Sequence, residues 1–312
     1  MMPTVVFLGP ESHFSQVCGS LPSFDVQHCM NSEEVDARLE SADVIFDAYM
    51  KVPFPAERLG RAHALKLFIT ATTGATHVAA TALEQRGIPL LTLKGQEHIT
   101  RNITAAAELS WLLLMSVVRP FRAAIEEPLS GEWDRNKYPG AMLRGRTLGI
   151  VGCGRIGTWI SRYASAFEMR VLGYDPFMSA LPDTITRASL ETLLADSDIV
   201  TIHANYSEAS RHLLSRERIF SMKRGAILVN TSRGELVDET ALLDALERGH
   251  LAGAGLDVLQ GEPDIAEHPL VRYARSHRNL VITPHIGGFS PDALQIVLDF
   301  SCERIRRFFQ EP

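Results

Sequence analysis

The sequence is short of the features that mark several large protein classes. Among 312 residues there are four cysteines, Cys18, Cys29, Cys153 and Cys302, with no C-x-x-C pair. A chain this long needs no stapling, so a disulfide scaffold is excluded and a reducing compartment fits. Positive charge is not in excess: the formal net charge is −6, against the basic face that a nucleic-acid partner requires. Long apolar runs are missing too. The most apolar stretch, Trp111 to Val118, is too short to cross a membrane and has Glu108 just upstream. The first apolar run soon meets Gly9, Pro10 and Glu11 and has no basic lead, so no signal peptide is expected and the cytoplasm is the expected location. His77 and His98 have no carboxylate at a ligand spacing, and no metal is expected.

What is present is enough apolar material for two cores. Hydrophobic residues are 46% and charged residues 22%, and the length suits two domains. Short apolar runs of strand length fall at Thr4 to Leu8, Asp43 to Phe46, Leu67 to Thr70 and Ile88 to Leu91. Helix-like segments lie between them at Ser32 to Glu40 and His77 to Arg86. Strand–helix alternation predicts a parallel sheet covered by helices. Asn102 to Val118 reads as a long apolar helix, buried against the body or another subunit, and Glu126 to Gly140 reads as a connection.

From Thr147 the alternation restarts. Strand-like runs are Leu148 to Val151, Arg170 to Tyr174, Ile199 to His203, Ala226 to Asn230, Gly253 to Val258 and Leu280 to Thr283. Ser189 and Asp238 are helix caps, and Pro291 to Phe309 has one apolar helical face. Six strands with intervening helices predict a doubly wound nucleotide-binding domain. The expected fold is α/β: two doubly wound parallel-sheet domains with a cleft between them. Residues 96–283 are expected to bind the cofactor, and residues 1–95 with 284–312 the substrate.

Gly152-Cys153-Gly154-Arg155-Ile156-Gly157 matches G-x-G-x-x-G, follows a strand and opens a helix, and Asp175 follows the next strand. Gly152 permits the turn, Gly154 the approach of a pyrophosphate, and Gly157 close packing of helix on strand; the diphosphate would meet N–H groups at a helix N-terminus. Asp175 would accept bonds from ribose hydroxyls and repel a 2′-phosphate, which favours NAD over NADP.

Three polar residues follow strand ends: Arg233 in Val229-Asn230-Thr231-Ser232-Arg233-Gly234, Glu262 in Gly261-Glu262-Pro263, and His285 in Thr283-Pro284-His285-Ile286-Gly287-Gly288. With the glycine fingerprint, Met222 to Gly225 and the stretch from Asn230 to Glu262, they make the chain resemble the D-2-hydroxyacid dehydrogenase family from about Leu67 onward. The resemblance implies His285 as the acid–base residue, Glu262 as its partner and Arg233 as the substrate anchor. It also implies contacts near the cofactor at His203, Thr231, Arg233, Asp257 and His285. Asp257 has an alternative role, capping the loop after a buried strand. The residue types suit the chemistry. A guanidinium holds a carboxylate, an imidazole exchanges a proton near neutral pH, and a carboxylate beside the imidazole favours its charged form.

In the family a loop of the first domain presents backbone N–H groups to the substrate carboxylate. The matching stretch is Thr73 to Val78, which puts Gly74 and Ala75 at the substrate. Many relatives carry Asp where this chain has Thr76 and Ala79. Retention of Glu262 separates the chain from formate dehydrogenase, a relative with an amide there. The expected activity is hydride transfer between NAD(H) and a small 2-oxo or D-2-hydroxy acid by a homodimer. The alternative is an NAD(H)-sensing interaction protein of the corepressor type.

Overall fold

A computed structural model of the protein describes residues 2–310. The described chain forms two units, 2–103 with 291–310, and 104–290. The boundaries lie seven or eight residues beyond those expected at 95/96 and 283/284, and packing explains both shifts. Leu93 and Ile103 join the apolar cluster of the first unit with Val297 and Leu298, and Arg304 Nη1 donates to Thr92 O at 2.6 Å. At the other boundary, Thr283, Ile286 and Gly287 are bonded to Asp257, which keeps His285 in the second unit and not with the substrate segment.

The first unit holds β1 (Thr4–Leu8), β2 (Asp25–Cys29), β3 (Val44–Asp47), β4 (Leu67–Thr70) and β5 (Leu90–Leu91), all parallel, in the order β2-β1-β3-β4-β5. Side chains on a strand alternate between faces, and here both faces are apolar. Val6, Leu8, Ile45 and Phe68 pack on one side with Val35, Leu59 and Leu83. Val5, Phe7, Val44, Phe46 and Leu67 pack on the other with Val17, Leu298 and Ile305. That burial on two faces produces the unbroken apolar runs in the sequence. The helix Pro291–Gln310 covers the second face. The helix Phe14–Ser20 and strand β2 are additions to the expected elements; β2 is half-exposed and carries polar Asp25, Gln27 and His28.

The second unit holds β6 (Thr147–Val151), β7 (Arg170–Tyr174), β8 (Thr186–Arg187), β9 (Ile199–Ile202), β10 (Ala226–Asn230), β11 (Leu251–Leu256) and β12 (Leu280–Ile282). The order is β12-β11-β10-β9-β6-β7-β8, again parallel. The described strands number seven, against six expected; β8 has two exposed residues and no apolar signature. The helix Ala105–Val118 lies against β11, where a Cβ on Gly253 or Gly255 would stand 2.6 Å from Val117 or 2.9 Å from Leu113. A further helix, Phe121–Leu129, enters the stretch expected to be a connection. Ser189 and Asp238 cap their helices by accepting from Thr192 N at 3.1 Å and Ala241 N at 2.9 Å. Among the described residues no helix is long and apolar enough to cross a membrane, and no group of three or more His, Cys, Asp or Glu is placed to hold a metal ion.

Candidate active site and cofactor cradle

In the second sheet the winding direction reverses between β6 and β9, and ligands of such sheets bind beyond the strand carboxyl ends at that reversal. Both loops there carry predicted residues. Gly152, after β6, has φ +92°, and a Cβ on it would lie 2.6 Å from the backbone of His203, after β9. Only glycine fits that turn. Gly154 faces open space, while a Cβ on Gly157 would meet Gly152 O at 2.3 Å. The helix Arg155–Ala166, with Ile156 in its first turn, starts with Gly154 as its cap and no side-chain cap bond. Its N-terminus therefore suits a phosphate. Asp175, past the end of β7, accepts from Cys153 N at 3.0 Å through Oδ2 and from Phe177 N at 2.9 Å through Oδ1, so it is tied to the glycine turn itself. This cradle fits a dinucleotide. Two neighbours are chemically quiet. Burial pushes the Cys153 thiol up to about 12 and His203 down to about 3, so that His203 is neutral, with Nε2 2.9 Å from Thr201 Oγ1.

The three polar residues singled out in the sequence are brought together. His285 Nδ1 lies 2.5 Å from Glu262 Oε1, and Arg233 is near enough for its charge to act on the imidazole. The hydrogen bond to Glu262 raises the His285 pKa above its ordinary value, against the opposing effects of burial and of Arg233; Asp257 adds to the rise. His285 has φ +53°, rare for a residue with a side chain. Its N–H donates to Asp257 O at 2.9 Å and Thr283 O at 3.0 Å, and such strain persists only where surrounding structure imposes it.

Asp257 supplies that structure. It is buried, and its Oδ1 accepts from Thr283 Oγ1 at 2.6 Å and Ile286 N at 2.9 Å, while Oδ2 accepts from Gly287 N at 2.7 Å. The capping role left open in the sequence is what this carboxylate does. Arg233 is held in the same way by its loop. Asn230 Nδ2 donates to Arg233 O at 2.9 Å, Ser232 Oγ donates to Ile202 O at 2.8 Å, and Thr231 Oγ1 lies 2.6 Å from Ser110 Oγ. Ser110 carries no signal in the sequence beyond its place on an apolar helix. The next residue after Arg233, Gly234, lies so close to Leu259 and Gln260 that a Cβ would sit 2.3 Å from Gln260 N. The Arg233 turn thus rests on the loop that presents Glu262, whose Oε2 accepts from Leu259 N at 3.3 Å.

A further histidine–carboxylate hydrogen bond, also unforeseen, supports that loop. Glu239 accepts from Gln260 N at 3.0 Å and pairs with His268 Nε2 at 2.9 Å. In the first unit, Gly74 and Ala75 lie on the loop after β4. Thr72 Oγ1 donates to Gly74 O at 2.6 Å and Val78 N to Ala75 O at 3.1 Å. The N–H groups of Gly74, Ala75 and Thr76 have no acceptor among the described residues. His98 is exposed and meets the Phe300 ring edge-on. His77, which shows no nearby carboxylate in the sequence, is paired with buried Asp47.

Comparison with known proteins identifies the family. Residues 111–287, more than half of the chain, match the D-isomer specific 2-hydroxyacid dehydrogenase, NAD binding domain model. The chain is 32% identical over 328 residues to a glycerate dehydrogenase of Methylorubrum extorquens, spanning 99% of this chain and 96% of that protein. It is 34% identical over 250 residues to a hydroxypyruvate reductase of Thermotoga maritima, covering 79% and 78% of the two chains. The crystal structure of the TT0316 protein from Thermus thermophilus superposes with a TM-score of 0.87 at 34% identity, over 98% of this chain and 97% of that one. The chain belongs to the D-isomer specific 2-hydroxyacid dehydrogenase family, and its cofactor is NAD.

Proposed function

We propose that this protein reduces a small 2-oxo acid reversibly to the D-2-hydroxy acid, with His285 as general acid and base. The observation that carries the reading is the His285–Glu262 pair, set in a strained turn by buried Asp257, with the charge of Arg233 near enough to act on the imidazole. NAD, when bound, supplies or accepts the hydride. In the second unit the Arg233 guanidinium suits a substrate carboxylate; in the first unit the N–H groups at Gly74 and Ala75, which have no acceptor among the described residues, suit one as well. As negative charge grows on the carbonyl oxygen, protonated His285 delivers a proton to it through Nε2, since Nδ1 is engaged by Glu262. In the oxidation direction neutral His285 takes the hydroxyl proton, and Glu262 stabilises the imidazolium that results. Asp175 selects NAD by accepting from the ribose hydroxyls, and His203 and Thr231 line the cofactor.

The matched relatives are named for glycerate and hydroxypyruvate, which supports a short, polar 2-oxo acid as substrate. We propose a homodimer, supported by exposed Leu112, Phe121, Ile125, Leu129, Trp133 and Met142, which follow one another along the segment 112–142. The test of function is NADH oxidation with glyoxylate, hydroxypyruvate, pyruvate and branched 2-oxo acids. Turnover is expected, fastest with the first two. Tight NADH binding without turnover of any of them would overturn the enzymatic reading in favour of a cofactor-sensing interaction protein.

A further inference from the structure

Resting on that reading, we propose that Asp47 and His77 are a positioning pair that holds the loop 72–77 in the shape that receives the substrate carboxylate. The order β2-β1-β3-β4-β5 reverses its winding between β1 and β3, so the ligand edge of this sheet lies beyond the ends of those strands. Asp47 is the last residue of β3 and is fully buried. An acceptor-only carboxylate in that position needs donors, and it has three. Oδ1 accepts from Tyr49 N at 2.8 Å and Met50 N at 3.1 Å, and Oδ2 accepts from His77 Nε2 at 2.6 Å. Met50 has φ +55°, a second strained non-glycine residue held by a buried aspartate.

One carboxylate therefore fixes two neighbouring segments, the turn after β3 and the loop after β4. The far end of that loop is tied again at the backbone, where Phe54 N donates to His77 O at 2.8 Å and Ala79 N to Phe54 O at 2.9 Å. Its near end is tied by Thr72 Oγ1 on Gly74 O. Between these ties stand the N–H groups of Gly74, Ala75 and Thr76, without acceptors among the described residues. A packed apolar pair would fill the same volume without desolvating a charge. His77 Nδ1, moreover, is buried with no partner among the described residues. A buried pair that leaves a polar atom unmet adds orientation rather than stability. The Asp47–His77 bond orders the loop from beneath.

The test compares the wild type with Asp47→Asn, His77→Phe and His77→Gln, using glyoxylate and hydroxypyruvate as probes and NADH fluorescence for cofactor binding. Asp47→Asn keeps the acceptor for Tyr49 and Met50 and loses only the one for His77. His77→Gln can place an amide N–H where Nε2 stands. Asp47→Asn and His77→Phe are each expected to raise KM for the oxo acid about tenfold, the loss of one charge-assisted bond. NADH affinity and kcat are expected to stay within about twofold, since only uniform binding is lost. The double variant should be no worse than either single one, and His77→Gln should recover KM to within about threefold. An unchanged KM in His77→Phe and Asp47→Asn, or no recovery with Gln, overturns the proposal. Hydrogen exchange at the Val78 and Ala79 amides gives a readout free of turnover: it should quicken about tenfold in His77→Phe and not in His77→Gln, on the same loss of one bond. If the wild type reduces no oxo acid, the functional reading fails by itself, and equal exchange in wild type and His77→Phe then sinks the pair as well.

Discussion

The two units contain the same chemical pair in opposite settings. In the second unit His285 and Glu262 keep 44% and 33% of their side chains exposed, whereas in the first unit His77 and Asp47 keep 9% and 0%. A third pair, His268 and Glu239, keeps 14% and 11%. Bond lengths are similar in all three, from 2.5 to 2.9 Å, so distance does not tell them apart. Access does. An imidazole that must exchange a proton with a substrate needs a ring nitrogen open to it, and a carboxylate behind it tunes that exchange. A pair sealed from solvent can only hold its surroundings in place. Replacing carboxylates by amides across the pairs should therefore give effects that follow exposure and placement rather than bond length.

Removing the exposed imidazole should have the largest effect. His285→Ala is expected to lower kcat/KM about a thousandfold, within the range of general acid–base catalysis, with NADH affinity kept. Residual activity above about a tenth of wild type would break the comparison, because the open pair would then be no more catalytic than the sealed ones. Next comes Glu262→Gln, expected to cost some tens of fold in kcat and to move the pH profile. Glu262 raises the His285 pKa. On the proposed mechanism reduction needs the protonated ring, so activity should fall as pH rises through that raised pKa. With Gln the fall should begin at lower pH. On the same mechanism oxidation needs the neutral ring, and the rising limb should move to lower pH too. Profiles of both directions that coincide with wild type would show that the pair does not set the proton equilibrium.

Much of the open pair is legible in the sequence, and almost none of the sealed ones. Arg233, Glu262 and His285 each stand just beyond a strand end, and the second sheet's strands alternate cleanly with helices. The family resemblance groups them, and the adjacency of β10, β11 and β12 brings their loops to one end of the sheet. Asp47 and His77 are thirty residues apart on different strand–loop units, and no ligand spacing or motif joins them. With no carboxylate nearby in sequence, His77 reads there as structural or exposed. The placement of His285 with the substrate segment fails for a related reason. The bonds that hold residues 283–287 in the second unit end on Asp257, a residue that follows another strand. Elements escape the sequence where the apolar pattern is weak: half-exposed β2, two-residue β8, and the helix Phe121–Leu129, which carries Pro128.

Asp257→Asn tests whether a buried carboxylate can matter to the open pair without touching a reactant. One oxygen becomes a donor facing Gly287 N or the donors of Thr283 and Ile286, which leaves a buried group unpaired at a cost of about 1–3 kcal/mol. Thermal unfolding should report that loss. The strained turn at His285 should relax with it and lower kcat roughly tenfold while the His285–Glu262 chemistry stays intact. A drop in stability with full kcat would confine Asp257 to the fold.

The smallest effect is expected at the third pair, and it is the sharpest control on the first. His268 Nδ1 accepts from Leu270 N at 3.3 Å, so the proton sits on Nε2 and is donated to Glu239, whose pKa burial raises. Glu239→Gln loses that acceptor, yet Oε1 can still receive the Gln260 N–H that steadies the Glu262 loop. It also removes the cost of burying a charge, which offsets part of the lost bond. Stability should stay within about 1 kcal/mol of wild type, and kcat within about threefold with an unmoved pH profile. The identical exchange of Glu for Gln at position 262 should shift the profile. If the two substitutions moved it equally, the buried pair would be transmitting charge to His285, and exposure would lose its power to separate proton transfer from scaffolding.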